Sequence, residues 1–157
     1  MKKPRLVPSL LALGGVLVLL SLASCGSPCP FGIVSIRSYP GQVAGGGASA
    51  RQDFQVPADV EVEVANLQVA GQGRVDVFVT RADCDRLFEG EYPPPAGVAP
   101  RCTVVVGPVA PGSVSGRQKV STGTYRLHAH GWTSNTAPAT FGIDVALWGE
   151  NCSGVVF

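Results

Sequence analysis

The sequence predicts an all-β fold, a sandwich or a barrel. Three observations carry this. From residue 54 onward, apolar and polar residues alternate in short runs, the period-two signature of strands with one buried face. Glycine, proline, asparagine and serine divide those runs at fairly regular spacing, as turns do. No stretch holds an apolar period of 3.6 over three turns, so an amphipathic helix has no support.

In chain order, residues 33–38 (IVSIRS) form the first candidate strand. Residues 41–49, with Gly45-Gly46-Gly47, read as a flexible loop or linker. Val60, Val62 and Val64 then alternate with Glu61 and Glu63, and Val75, Val77 and Val79 with Asp76, Phe78 and Thr80. Between these two runs, Gly71-Gln72-Gly73 marks a turn. Residues 83–100 form a loop that includes Pro93-Pro94-Pro95, and residues 103–106 (TVVV) form a short β-branched strand. After turns at Pro111-Gly112 and Ser121-Thr122-Gly123 come two long strands. In the first, Tyr125, Leu127 and Ala129 alternate with Arg126, His128 and His130; in the second, Phe141, Ile143, Val145 and Leu147 alternate with Gly142, Asp144 and Ala146. Residues 154–157 are a further candidate strand, and no internal repeat is present.

The N-terminus has a different character. Lys2, Lys3 and Arg5 precede a run from Leu6 to Leu22 that is almost entirely Leu, Val, Ala and Gly, the charged-then-apolar layout of an export signal. Its apolar core is shorter than the roughly 20 residues a membrane-spanning helix needs, and Gly14-Gly15 weakens it as a helix. It ends in Leu22-Ala23-Ser24-Cys25, which resembles the lipobox of bacterial lipoproteins. The resemblance implies that residues 1–24 are a signal peptide that is removed, and that Cys25 carries diacylglycerol as the first residue of the mature chain. Two or three acyl chains anchor firmly where one is marginal. The competing reading is an ordinary cleaved secretory signal. By the same resemblance, Gly26 after the cysteine favours the outer membrane. Residues 25–30 then form a short lipidated tether and 31–157 the folded domain, long enough for one core and too short for two. The localisation that follows is exported and lipid-anchored, on the cell membrane or the outer membrane.

With Cys25 assigned to lipid, four of the five cysteines remain for an oxidising compartment: Cys29, Cys84, Cys102 and Cys152. Three pairings are open. We expect Cys84 with Cys102, which bracket the proline-rich loop, and Cys29 with Cys152, which would tie the two ends of the domain together. No Cys-x2-Cys spacing favours zinc. Lys2, Lys3 and Arg5 are three of the 12 basic residues, so beyond the leader the 11 acids outnumber the bases and no basic stripe survives. Nucleic acid is therefore excluded as an expected partner.

Two short motifs carry a second resemblance. Asp76-Val77-Phe78-Val79 and Gly123-Thr124-Tyr125, followed by the run FGIDVALWG, are similar to the bacterial pre-peptidase C-terminal domain and related jelly-roll modules, over about 90 residues. The excursion between Cys84 and Cys102 departs from that pattern. The resemblance implies a single antiparallel β-sandwich, jelly-roll-like, used for binding or support and with no catalytic residues to transfer. With the cysteines it completes the expected fold: such a sandwich with two disulfides.

Candidate chemistry is sparse. Gly112-Ser113-Val114-Ser115-Gly116 has valine where a hydrolase nucleophile would stand. His128 and His130 lie two apart on a strand and share a face; with Asp144, if the two last long strands pair, they could hold zinc or copper. Arg126 in the same row opposes a cation, and a solvated strand face is the simpler reading. Asp83, Asp85, Glu89 and Glu91 suggest calcium, but Leu87 and Phe88 break the required spacing. Trp132 and Trp148 stand in the polar register of their strands and are candidates for stacking on a sugar or a partner protein, or simply for capping the core. No cofactor is expected. The expected function is non-enzymatic, binding or structural, at the cell envelope, with a protein or a glycan as possible partner. The alternative is a metal-dependent or carbohydrate-active envelope protein using the His128, His130 and Asp144 face.

Overall fold

Alternation along the chain becomes eight strands in a computed structural model that describes residues 29–45, 49–58 and 60–152. They are β1 (Phe31–Val43), β2 (Ser49–Val56), β3 (Glu61–Ala70), β4 (Val75–Arg81), β5 (Val106–Val109), β6 (Gln118–Lys119), β7 (Gly123–Gly131) and β8 (Ala139–Glu150). No helix occurs among the described residues. Two four-stranded sheets form, in the orders β1-β8-β3-β6 and β2-β7-β4-β5, and every pairing is antiparallel. These orders are those of the eight-stranded jelly roll, two Greek keys folded face to face.

The buried set follows the alternation. Val62, Val64 and Leu67 of β3 and Phe141, Ile143, Val145 and Leu147 of β8 meet Val75, Val77 and Val79 of β4 and Tyr125, Leu127 and Ala129 of β7 between the sheets. The valine, leucine, isoleucine and phenylalanine side chains among these, fully buried, each contribute roughly 1.5–3 kcal/mol. Tyr125 is anchored as well as buried: its hydroxyl donates to the carbonyl of Ser121 at 2.8 Å, holding the bend that enters β7.

Several boundaries differ from the sequence-based reading. Residues 41–43 continue β1 and pair with Phe141, Thr140 and Ala139, so the expected loop over 41–49 begins late. Gly41 belongs in this strand because the ring of Phe141 lies against its backbone, where a Cβ would come within 2.5 Å of the ring. β2 was unexpected over most of its length, since only Phe54 and Val56 of its residues are buried. The strand expected at 103–106 is displaced to Val106–Val109, and β6 is only two residues long. The expected strand at 154–157, the expected signal peptide over 1–24 and Cys25 lie outside the described residues.

Both expected disulfides are present, Cys29–Cys152 and Cys84–Cys102. The first ties the start of β1 to the end of β8, beside the Phe31–Glu150 pair. The second closes the loop between β4 and β5.

Candidate functional site

The sandwich has two outer faces, and the chain treats them differently. On the β2-β7-β4-β5 sheet, even-numbered residues of β7 and β4 point away from the core, with Phe78 opposite His128, Asp76 opposite His130 and Thr80 opposite Arg126. The loop between β4 and β5 folds over this face. It contributes Leu87, Phe88 and Tyr92 to a second apolar cluster, with Phe78, Cys84, Cys102, Val104 and Trp132. His130 sits inside that cluster, its ring 5.1 Å from Tyr92, 5.4 Å from Phe88 and 5.8 Å from Phe78. His128 stacks beside it at 6.1 Å, the two rings inclined by 10°.

The two imidazoles are 1% and 4% exposed, so the solvated strand face expected there is a sealed one. His128 Nε2 lies 3.0 Å from Thr80 Oγ1, while His130 Nε2 is buried without a hydrogen-bond partner. Burial, followed by the neighbouring His130 and Arg126, pushes His128 down to about 4. Burial also pushes His130 to about 4, against the opposing pull of Asp76. Both rings are therefore neutral near pH 7, and neither reaches solvent to move a proton.

The nearby charges are already committed. Asp76, which the alternation placed on a polar face without suggesting a role, accepts from the Tyr92 hydroxyl at 2.8 Å and from Trp132 Nε1 at 3.0 Å. Burial, with the hydrogen bond to Asp76, raises the Tyr92 phenol well above its ordinary range. Arg126 grips both carboxylate oxygens of Asp53 at 2.6 and 2.9 Å and reaches Asp85 at 2.8 Å, the paired geometry that suits a guanidinium. That grip lowers the Asp53 carboxyl. Of the four loop acids considered for calcium, Asp85 is thus paired with Arg126, and Glu89 is paired with Arg101.

Asp144 is not brought to the histidines. β7 and β8 are consecutive in sequence but belong to different sheets, so Asp144 lies on the opposite outer face of the sandwich. There it accepts from Ser38 Oγ at 2.6 Å and Asn66 Nδ2 at 2.8 Å. Among the described residues, no three His, Cys, Asp or Glu side chains are grouped to hold a metal ion. The Gly112 to Gly116 stretch runs beside β3 instead of forming a nucleophile turn: Ser115 Oγ accepts from the amide of Val64 at 2.8 Å, and the Ser115 amide donates to the Val64 carbonyl at 2.8 Å.

Both tryptophans are half-buried with an arginine over the ring. Arg74 sits 5.0 Å from the Trp132 ring and Arg117 sits 3.5 Å from that of Trp148. Such cation–π pairs contribute about 0.5–1 kcal/mol at exposed sites. A sugar stacking on either ring would first have to displace its arginine.

On the outer face of the β1-β8-β3-β6 sheet, Arg117 from the segment between β5 and β6 lies over Trp148 and faces Glu63 at 3.8 Å. Gly142, Asp144, Ala146 and Trp148 alternate along the centre of that face. A hollow of about 310 Å³ opens there, lined by Ser38, Pro40, Asn66, Gln68, Gly142 and Asp144. Asn66 holds φ +54°, the only positive φ at a described residue other than glycine, at an irregularity in the β3–β8 pairing. Asparagine tolerates that conformation better than most residues, and here it aims the side-chain amide at Asp144. The local sequence offers a weak signal for this, an Ala-Asn interruption in a strand that otherwise alternates. No protein-family model matches the chain, and no curated protein matches it.

Proposed function

We propose that this chain is an exported lipoprotein, anchored through Cys25, whose mature domain is a non-enzymatic binding or structural module at the cell envelope. The supporting observation is the Cys29–Cys152 bridge. It closes the domain four residues beyond Cys25, which suits an oxidising compartment and leaves Cys25 outside the disulfide pairs. The non-enzymatic part of the reading is supported by the sealing of both histidines, their neutral state and the separation of Asp144 from them. The test is the intact mass of the native product from a bacterial host. Diacylglycerol on Cys25, with residues 1–24 gone and the modification lost in Cys25→Ser, supports the reading; an unmodified amino end overturns it.

A second reading draws on the hollow around Asp144. Its carboxylate, with two oxygens held by Ser38 and Asn66, retains acceptor capacity beside the amide of Gln68, the chemistry that recognises a hydroxyl-rich ligand such as a glycan. Binding on a glycan array that is lost in Asp144→Ala would select this reading over a purely structural role.

A further inference from the structure

The end of the sandwich that holds the Cys29–Cys152 bridge also gathers the turn between β2 and β3 and the short β6, because Glu61 pairs with both Trp148 and Lys119. Phe31 stands there, two residues beyond Cys29 and 52% exposed. It borders an open groove of about 610 Å³ shared with Val34, Pro57, Ala58, Lys119 and Glu150. The described part of β1 begins at this end, and Cys25 is four residues before Cys29. At 3.3–3.6 Å per residue those four span roughly 14 Å at most.

An aromatic ring left half in water so close to an acylated residue is within reach of the boundary between headgroups and acyl chains. Interfacial amphipathic helices bury their apolar faces about 5–10 Å into that boundary, a depth that one exposed aromatic ring can also reach. Lys119 and Glu150 on the rim cancel in charge, so the contact does not depend on anionic lipid. The opposite end is polar, a hollow of about 300 Å³ formed by residues 70–73 and 134–138. β1 is 13 residues long and runs between the two ends, so the polar loops stand roughly 40 Å from the foot at about 3.3 Å per residue.

We propose that this end is a lipid-contacting foot, in which Phe31 enters the bilayer surface while Pro57, Ala58 and Lys119 rest against the headgroups. The proposal rests on the lipid anchor at Cys25. It fixes the orientation of the domain, with the polar loops and the Asn66–Asp144 hollow directed away from or along the membrane and available to a ligand.

The test uses full-length lipidated protein in phosphatidylcholine vesicles with brominated acyl chains, comparing Phe31→Trp with Gln72→Trp. Each is read as the difference from the unsubstituted protein, which has two tryptophans of its own. The expected result is a shift to shorter emission wavelength and a loss of intensity for Phe31→Trp, with neither for Gln72→Trp, and the same result when phosphatidylglycerol is added. If position 31 is quenched no more than position 72 in protein whose mass shows the lipid, the foot is overturned and the anchor stands. Quenching that needs phosphatidylglycerol overturns the neutral contact. An unmodified amino end by mass removes the anchor and the foot together.

Discussion

His128 donates from Nε2 to the Oγ1 of Thr80, 3.0 Å away, because the single hydroxyl proton of Thr80 is already given to the carbonyl of Arg81 at 2.8 Å. This pair fixes the tautomer of one of the two histidines under the loop. Replacing Thr80 by valine keeps the volume and leaves the His128 N–H buried and unpaired. A loss of about 1–3 kcal/mol is expected, measured as a lower urea midpoint at pH 7 with an unchanged denaturant slope.

Acid should loosen the same region. Unfolded histidine titrates near pH 6.5, whereas both rings here are held to about 4. Between those values the unfolded chain binds protons that the folded chain refuses. Stability is therefore full above about pH 6.5 and falls as pH drops toward 4, by about 1.4 kcal/mol per pH unit for each ring. Urea midpoints at pH 7, 6 and 5 measure the slope. His130→Phe, which also removes the unpartnered Nε2, should cut it by about half.

Asp76 supports the aromatic cluster from below. In Asp76→Ala both the Tyr92 hydroxyl and Trp132 Nε1 lose their acceptor. Two donors left without partners are expected to cost roughly 2–4 kcal/mol together. Altered tryptophan emission in the folded state would report the disturbance at Trp132, whereas an unchanged spectrum and midpoint would count against this role.

The disulfides should differ in weight. Cys84→Ala with Cys102→Ala opens a bridge across 18 residues, expected to cost about 3 kcal/mol, while removing Cys29–Cys152, across 123 residues, should cost nearer 5 in the chain-entropy model. The first loss should also expose Phe88 and Tyr92, seen as hydrophobic dye binding under conditions where the native protein binds none.

Much of the fold was legible for simple reasons. Period-two alternation at Val60–Val64, Val75–Val79 and Tyr125–His130 identifies strands and says which residues share a face. The cysteines left three pairings open, and the structure has the expected one, in which one pair brackets a proline-rich loop and the other sits near the two limits of the strand pattern. β2 was not legible, since an edge strand that buries only Phe54 and Val56 looks like a polar loop. The arginines over Trp132 and Trp148 were equally hidden, because Arg74 and Arg117 arrive from distant segments.

Alternation by itself determined that this chain builds sheets and that His128 and His130 point the same way, and the four cysteines besides Cys25 are an even set that suits two bridges. Alternation could not say which sheet each strand joins. A strand's inward and outward faces are local properties of the backbone pleat, but its neighbours depend on the path of the whole chain. Only the tertiary structure separated Asp144 from the histidines by the thickness of a sandwich, and only it covered the histidine face with a disulfide-closed loop.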